Sequence, residues 1–169
     1  MVISKTEMTR SIEELRTPFG FKGGSLSELW QIRCGIQTDS GANAVGLGVQ
    51  SVLWSDGAVF EQFGQQRGNE LMEGIAAYGL GILKGMELKD PISMLHAVFP
   101  ELVDYAKALT GRKDLRDTFI LNAWTPIDWA LWKLYAPERS CRDFQKLLSA
   151  FSHNLKEKQP VLGDIPLIT

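Results

Sequence analysis

The sequence predicts an α+β fold in which a small antiparallel β-meander precedes a helical bundle. Apolar and polar residues alternate over much of residues 2–54, as they do in half-buried strands. After Gly57, apolar residues recur every three or four positions, which is typical of helices with one buried face. Because the strand patterns all come before the helix patterns, the order favours an α+β architecture.

Three stretches make up the strand half of this prediction. Residues 2–16 fit either a strand or a short helix, and we favour the strand. Residues 29–38 alternate, and the turn segment DSGAN leads into a further strand over residues 44–54. Between the first two stretches, residues 17–25 (TPFGFKGGS) contain one proline and three glycines, which predict a loop that carries two phenylalanines.

The first helices are marked by their ends. An apolar stripe over residues 69–87 predicts a helix with Asn69 as its N-cap. Asp90 as a cap and Pro91 in the first turn begin a second helix. Pro100 then begins a third, which ends at Gly111.

Residues 118–135 are apolar nearly all the way round, so we expect a helix in the middle of the core. Pro126 should kink this helix or restart it, with Thr125 as a new N-cap. A last amphipathic helix is predicted over residues 141–155, and a linker follows it.

Composition narrows the classes of function. The 169 residues suffice for one domain with its own core. A net charge of −2 and the lack of any basic block weigh against nucleic acid and membrane as partners. No signal peptide and no apolar run of membrane length occurs, so we expect a cytoplasmic protein. For Cys34 and Cys141, two reduced buried thiols are favoured over a disulfide.

No motif in the chain predicts a catalytic or metal site of its own. The two histidines, His96 and His153, stand apart from any nucleophile pattern. Neither an H-E-x-x-H helix nor a calcium-binding loop is present. The segment GLGVQS lacks the dinucleotide fingerprint, because Ser51 stands where its third glycine belongs.

Two stretches resemble the mandelate racemase/muconate-lactonizing group of the enolase superfamily. The helix AWTPIDWALWKLYA resembles that family's A-I-D-x-A-L-W-D-L helix, with Lys133 in place of an acidic residue. The matching positions are Ile127, Asp128, Ala130, Leu131, Trp132 and Leu134. In the family's G-x-G-E strand, the equivalents are Gly46, Leu47 and Gly48, with Val49 replacing the glutamate.

The resemblance implies a capping domain over residues 1–160 and a linker over residues 161–169 toward a barrel domain that this chain does not contain. In such enzymes a (β/α)₇β barrel carries the Mg²⁺ ion and the acid/base residues, which remove a proton α to a carboxylate. The implied enzyme is a racemase, epimerase or dehydratase, often a homo-oligomer. The chain alone would hold no cofactor and would not be catalytic. Lys156 and Lys158 form a K-x-K pair, but in a polar linker rather than on a barrel strand.

The resemblance also implies two loops that close over the barrel mouth and select a small carboxylate substrate. Aromatic residues exclude water and glycines permit movement, so such loops should be rich in both. We expect an apolar wall formed by Phe19, Phe21 and Trp54. The polar groups expected to bind a carboxylate or hydroxyl of the substrate are those of Lys22, Gln50 and Ser51. Two alternatives stay open: these aromatics pack the sheet against the bundle, or the chain is a stand-alone interaction module.

Overall fold

The computed structural model describes residues 1–21 and 23–138. Within these residues the strands precede the helices, as predicted. The elements are β1 (Ile3–Phe21), β2 (Gly24–Thr38), β3 (Asn43–Gln50), α1 (Val52–Ser55), α2 (Gly57–Leu83), α3 (Pro91–Thr110) and α4 (Asp117–Glu138). Residues Met1–Tyr135 form one compact unit, and a second begins at Ala136. The predicted helix over residues 141–155, the linker, the K-x-K pair and Cys141 lie outside the described residues. No helix in the described part is long and apolar enough to cross a membrane.

The sheet is an antiparallel meander with β2 in the centre. Met8 on β1 and Gly46 on β3 both stand opposite Cys34. The alternation along β2 places Ile32, Cys34 and Ile36 on the face buried by the helices. The DSGAN turn forms as predicted, because the Thr38 amide donates to the Ala42 carbonyl at 2.9 Å.

The predicted loop over residues 17–25 is wrong in extent, because most of it is paired β-structure. Phe19 stands opposite Leu26, and Phe21 stands opposite Gly24. Gly23 has a φ of 79°, a conformation that a glycine turn adopts without strain. The tight turn lets the flanking residues pair, so they form the tip of a long hairpin. We call residues 13–21 and 23–28 the hairpin arm.

The predicted strand over residues 44–54 ends earlier, at Gln50. Residues Val52–Ser55 form α1, a single helical turn. Val52 and Leu53 are both buried, whereas a strand would send two successive side chains to opposite faces. Burial on one side therefore favours the helical turn.

Helix α2 begins twelve residues before its predicted start and is capped by Asp56 rather than by Asn69. Asn69 lies inside the helix and is buried. The helix is broken at Gly64, whose φ of 71° and ψ of −176° fall in a region that is essentially restricted to glycine. It ends at Leu83, short of the predicted residue 87.

Helix α3 confirms the predicted cap, since the Asp90 carboxylate accepts from the Ser93 amide at 2.8 Å. It also confirms the stop at Gly111, which is left-handed with a φ of 67°. The predicted restart at Pro100 is wrong, because α3 runs through it. Pro100 is exposed, so water can reach the helix carbonyl that loses its partner there.

Helix α4 is the predicted core helix. Phe119, Trp124 and Ile127 are fully buried within it. The restart at Thr125 does not occur, because the helix is continuous and the Thr125 hydroxyl donates to the Leu121 carbonyl at 3.1 Å. This hydroxyl-to-carbonyl bond is typical of a helix interior.

The two stretches that carry the family resemblance pack against each other. A methyl group built on Gly46 would overlap the Pro126 carbonyl oxygen and lie 2.6 Å from the Ala130 nitrogen. One built on Gly48 would lie 2.5 Å from Cδ of Pro126. The G-x-G spacing therefore allows β3 to lie directly on the backbone of α4.

Side chains of α4 also bind carbonyl groups of β3, an edge strand of the sheet. The Asn122 amide donates to the Val49 carbonyl at 3.2 Å. The Lys133 ammonium donates to the Val45 carbonyl at 2.7 Å. Lys133, which departs from the family pattern, thus joins the helix to the sheet, and the two bonds protect an otherwise open edge.

Candidate functional site

Three of the predicted site residues contact one another on the surface of the domain. The Phe21 ring lies 5.0 Å from the Trp54 ring and 6.4 Å from the Phe19 ring, centroid to centroid. We call these three residues the aromatic cluster. Trp54 is 69% exposed and Phe19 is 58% exposed, so most of the apolar surface faces outward. Buried sheet-to-bundle packing therefore does not account for these two side chains.

The cluster joins the two segments that the resemblance singled out. Phe19 and Phe21 come from the end of β1, and Trp54 comes from α1 after β3. The two segments are more than 30 residues apart in sequence, and the contact between the Phe21 and Trp54 rings brings the arm onto α1. The sheet topology thereby builds one surface from two distant segments.

Helix α1 is fixed at its base by Asn122, a residue that the sequence analysis missed. The Asn122 side-chain oxygen accepts from the Ser51 amide at 2.9 Å and from the Ser55 hydroxyl at 3.1 Å. Its amide group binds Val49, as described above. Trp54 therefore stands on an anchored helical turn.

Asp56 provides a second anchor and is buried. One carboxylate oxygen accepts from the amides of Ala58 and Val59 at 3.0 and 3.3 Å, which caps α2. The other accepts from the Arg116 amide at 3.0 Å, in the segment before α4. One side chain thus fixes both the start of α2 and the approach to α4.

The predicted polar groups are placed unequally. Gln50 is buried between β3 and α2, and its amide, oriented to satisfy both neighbours, donates to the Asn69 carbonyl and accepts from the Glu73 amide, each at 3.1 Å. The Gln50 side chain is therefore not exposed to a ligand at the surface. Ser51 is half-buried at the start of α1, and its hydroxyl makes no capping bond. Lys22 lies outside the described residues.

A cavity of about 470 Å³ lies beneath the hairpin arm. Its lining combines glycine backbone with apolar and charged side chains, from Gly23, Gly24, Leu53, Gly57, Phe60, Glu61 and Arg116. Arg116 is a cation that the sequence analysis did not select, and a guanidinium is well suited to pair with a carboxylate. Among residues 1–21 and 23–138, no group of three or more His, Cys, Asp or Glu side chains is arranged to hold a metal ion.

Asp128, in the α4 motif, has a perturbed carboxyl group. Burial raises its pKa above the usual range, while a hydrogen bond with Trp132 acts in the opposite direction. Because the folded pKa exceeds the unfolded one, the ionised carboxylate lowers the free energy of unfolding above the folded pKa. This cost is relieved as the pH falls through the folded pKa, and it is gone below the unfolded value.

Asp128→Asn is therefore expected to raise the free energy of unfolding at pH 7, because the amide carries no charge and still accepts a hydrogen bond. The gain should shrink as the pH falls toward 4. Urea unfolding at several pH values measures it, with Asp104→Asn on an exposed position of α3 as the control. A variant less stable than the wild type at pH 7 would show that the charge is stabilising.

The fold is similar to solved structures of three enzymes. L-talarate/galactarate dehydratase from Salmonella typhimurium, liganded with Mg and L-lyxarohydroxamate, matches with a TM-score of 0.54 and 20% identity, over 81% of this chain and 31% of the enzyme. Dipeptide epimerase from Cytophaga hutchinsonii, complexed with Mg and a dipeptide, has a TM-score of 0.51 and 18% identity over 80% and 30%. A mandelate racemase/muconate lactonizing enzyme from a Polaromonas species matches with a TM-score of 0.52 and 18% identity, over 82% of this chain and 30% of the enzyme.

The chain thus spans about 30% of the length of these enzymes. No protein-family model and no curated protein sequence matches it. At 18% to 20% identity the likeness concerns the fold. The described part of the chain has an α+β fold similar to that of a part of these enzymes, and this is the fold class that the resemblance predicted.

Proposed function

We propose that this chain is the capping domain of an enolase-superfamily racemase, epimerase or dehydratase. In this proposal residues 1–160 form the cap, residues 161–169 lead toward the barrel, and the barrel of the same enzyme completes the active site. The observation that carries the proposal is the aromatic cluster, which exposes Phe19 and Trp54 at the junction of two sequence-distant segments. An exposed apolar surface of this kind is suited to be covered by a second body.

The chemistry is divided between the two bodies. The barrel would bind Mg²⁺, which stabilises the enediolate formed when a proton α to a carboxylate is removed. The cap would contribute the aromatic cluster, which excludes water from the substrate, and the polar group of Ser51. Lys22 remains proposed as a carboxylate partner. Gln50 supports the end of β3 from within, so we propose an indirect role for it.

The proposal leads to a prediction for Trp54→Ala. The cap should lose about 1 kcal/mol of unfolding free energy, because the indole is mostly exposed and the substitution removes its contact with the Phe21 ring. Joined to the barrel, the variant should lose about tenfold or more in kcat/KM, since water enters the site.

Ile92→Ala is the matched control, because Ile92 is an exposed apolar residue on α3, outside the aromatic cluster. It should leave both stability and kcat/KM close to the wild type. Equal losses of kcat/KM in the two variants would contradict the role of the aromatic cluster at the substrate site.

The exposed aromatics also support a second candidate, a stand-alone interaction module. The two functions differ in the behaviour of the isolated chain. A cap without its barrel should self-associate through its uncovered apolar surface, whereas an independent module should stay monomeric and well folded. Size-exclusion chromatography with light scattering separates the two cases. Assembly of the complete enzyme as a homo-oligomer is part of the first proposal.

A further inference from the structure

At Ser27, in the hairpin arm, β2 is paired with neither of its neighbouring strands. On one side, β3 ends at Gln50, opposite Trp30. On the other, the pairing of β1 with β2 is interrupted between Glu14 and Phe19. Ser27 falls inside this break and has no partner residue on β1. Strand pairing with β3 therefore does not hold the arm residues 23–28 to the rest of the domain.

Gln65 of α2 attaches this part of the arm to the rest of the domain. Its side-chain oxygen accepts from the Ser27 amide at 2.9 Å, and its amide nitrogen donates to the Glu28 carbonyl at 2.5 Å. The Ser27 hydroxyl also lies 3.5 Å from the same oxygen. A primary amide offers one acceptor and a donor group, as a peptide unit does. Gln65 therefore takes the place of a missing strand partner.

The backbone of α2 explains why Gln65 is available for this role. The helix is broken at Gly64, so Gln65 stands at the start of its second half. In contrast, the neighbouring Gln66 is exposed, and its side-chain amide lies 3.5 Å from the Glu70 carboxylate within the same helix. Two adjacent residues of identical chemistry thus differ in whether they touch the arm.

We infer that Gln65 is the positioning residue that holds the hairpin arm, and with it Phe19 and Phe21, against Trp54. The effect on substrate rests on the proposed function: in the complete enzyme, Gln65 sets how often the aromatic cluster is assembled over the site. Its effect on the arm is a property of this chain alone. The arm has other attachments as well: Leu26 is buried, Gly24 lies so close to Leu53 and Phe60 that an added methyl group would touch both, and the Trp30 indole donates to the Glu28 carboxylate at 2.6 Å.

Residue-resolved hydrogen exchange on the chain tests this inference with three variants. Gln65→Met keeps the size of the side chain and removes both hydrogen bonds. Exchange at Ser27 and the neighbouring arm amides should become at least about tenfold faster, while amides of α4 are unchanged. Gln65→Glu keeps the acceptor and loses the donor, so its effect should be intermediate. Gln66→Met is the control and should leave every amide at its wild-type rate.

Two results would overturn the inference. Exchange in Gln65→Met that equals the wild-type rate at Ser27 would show that the arm is held without Gln65. Exchange that accelerates equally in the arm and in α4 would show a loss of global stability instead of local opening.

A second readout concerns the complete enzyme. Gln65→Met should raise KM more than it lowers kcat, because the arm is closed less often before substrate binds. The amide hydrogen exchange is measured on this chain without barrel or substrate. Its result at the arm therefore stands even if the proposed function is wrong. Faster exchange at the arm with unchanged KM would retain the attachment and reject its role in substrate binding.

Discussion

Gly46→Ala is expected to destabilise the domain by about 3 kcal/mol, the upper range for overpacking. The added methyl group would overlap the Pro126 carbonyl oxygen and approach the Ala130 nitrogen. Both are backbone atoms of a buried helix, so they cannot turn aside as a flexible side chain would. For a chain of this size the loss lowers the melting temperature by about 6 to 12 °C. Thermal or urea unfolding measures it.

Gly81→Ala provides the control for the same chemical change. Gly81 lies within α2, is exposed, and has no atom within 4 Å of an added methyl group. Alanine is favoured over glycine in helices, so this variant should be stabilised by up to about 1 kcal/mol. If Gly46→Ala instead unfolds at the wild-type midpoint, the close approach of β3 to α4 is incorrect.

Asp56→Ala is expected to cost about 3 kcal/mol. The substitution removes an N-cap, which is typically worth about 1 kcal/mol, and leaves the buried Val59 amide and the Arg116 amide without their acceptor. Asp56→Asn should be intermediate, because an amide oxygen can still cap α2 while the amide nitrogen faces the Arg116 donor. Urea unfolding again measures the change.

Asp114→Ala is the control for this loss. The Asp114 side chain is 73% exposed, whereas its partner Arg112 is 17% exposed and also donates to Gln62 at 2.7 Å. Because the carboxylate is mostly solvated and Arg112 keeps its bond to Gln62, the change should stay within about 1 kcal/mol. Similar losses for Asp56→Ala and Asp114→Ala would contradict the anchoring role of Asp56.

Local patterns predicted the elements whose burial follows a regular period. The alternation at Ile32, Cys34 and Ile36 identified a strand with one buried face, and the apolar circumference of α4 identified a core helix. Asp90 and Gly111 were predictable as helix ends because their roles depend on neighbouring backbone groups alone. The G-x-G and helix motifs, which carried the family resemblance, pack against each other.

The wrong predictions concern residues whose structure is set by contacts with distant parts of the chain or by exposure to water. A run such as Val52 and Leu53 fits a strand or a helix, and only burial of both side chains against the body selects the turn α1. Asn69 has the chemistry of a cap, yet α2 had already begun at Gly57, and the real cap also binds a residue 60 positions away. Proline ends many helices, but α3 continues through Pro100 because this residue is exposed to water.

The residues that build the candidate site were partly visible in the sequence. Phe19, Phe21 and Trp54 were selected because aromatics near glycines suit a capping surface, and the fold brings them together. Asn122 and Gln65 were missed, because each binds backbone 37 to 73 positions away and no local pattern marks them. Arg116 was missed because a charged loop residue is ordinarily solvated.

Exchange of the proton α to a carboxylate, followed by NMR in D₂O with Mg²⁺, tests the central claim most directly. The samples are the chain alone, the barrel of the same enzyme alone, and the two joined. We predict exchange in the joined protein, little with the barrel alone, and none with this chain alone. Exchange catalysed by the isolated chain, or none from a folded, Mg²⁺-loaded joined protein with any acid tested, would contradict the assignment as a cap.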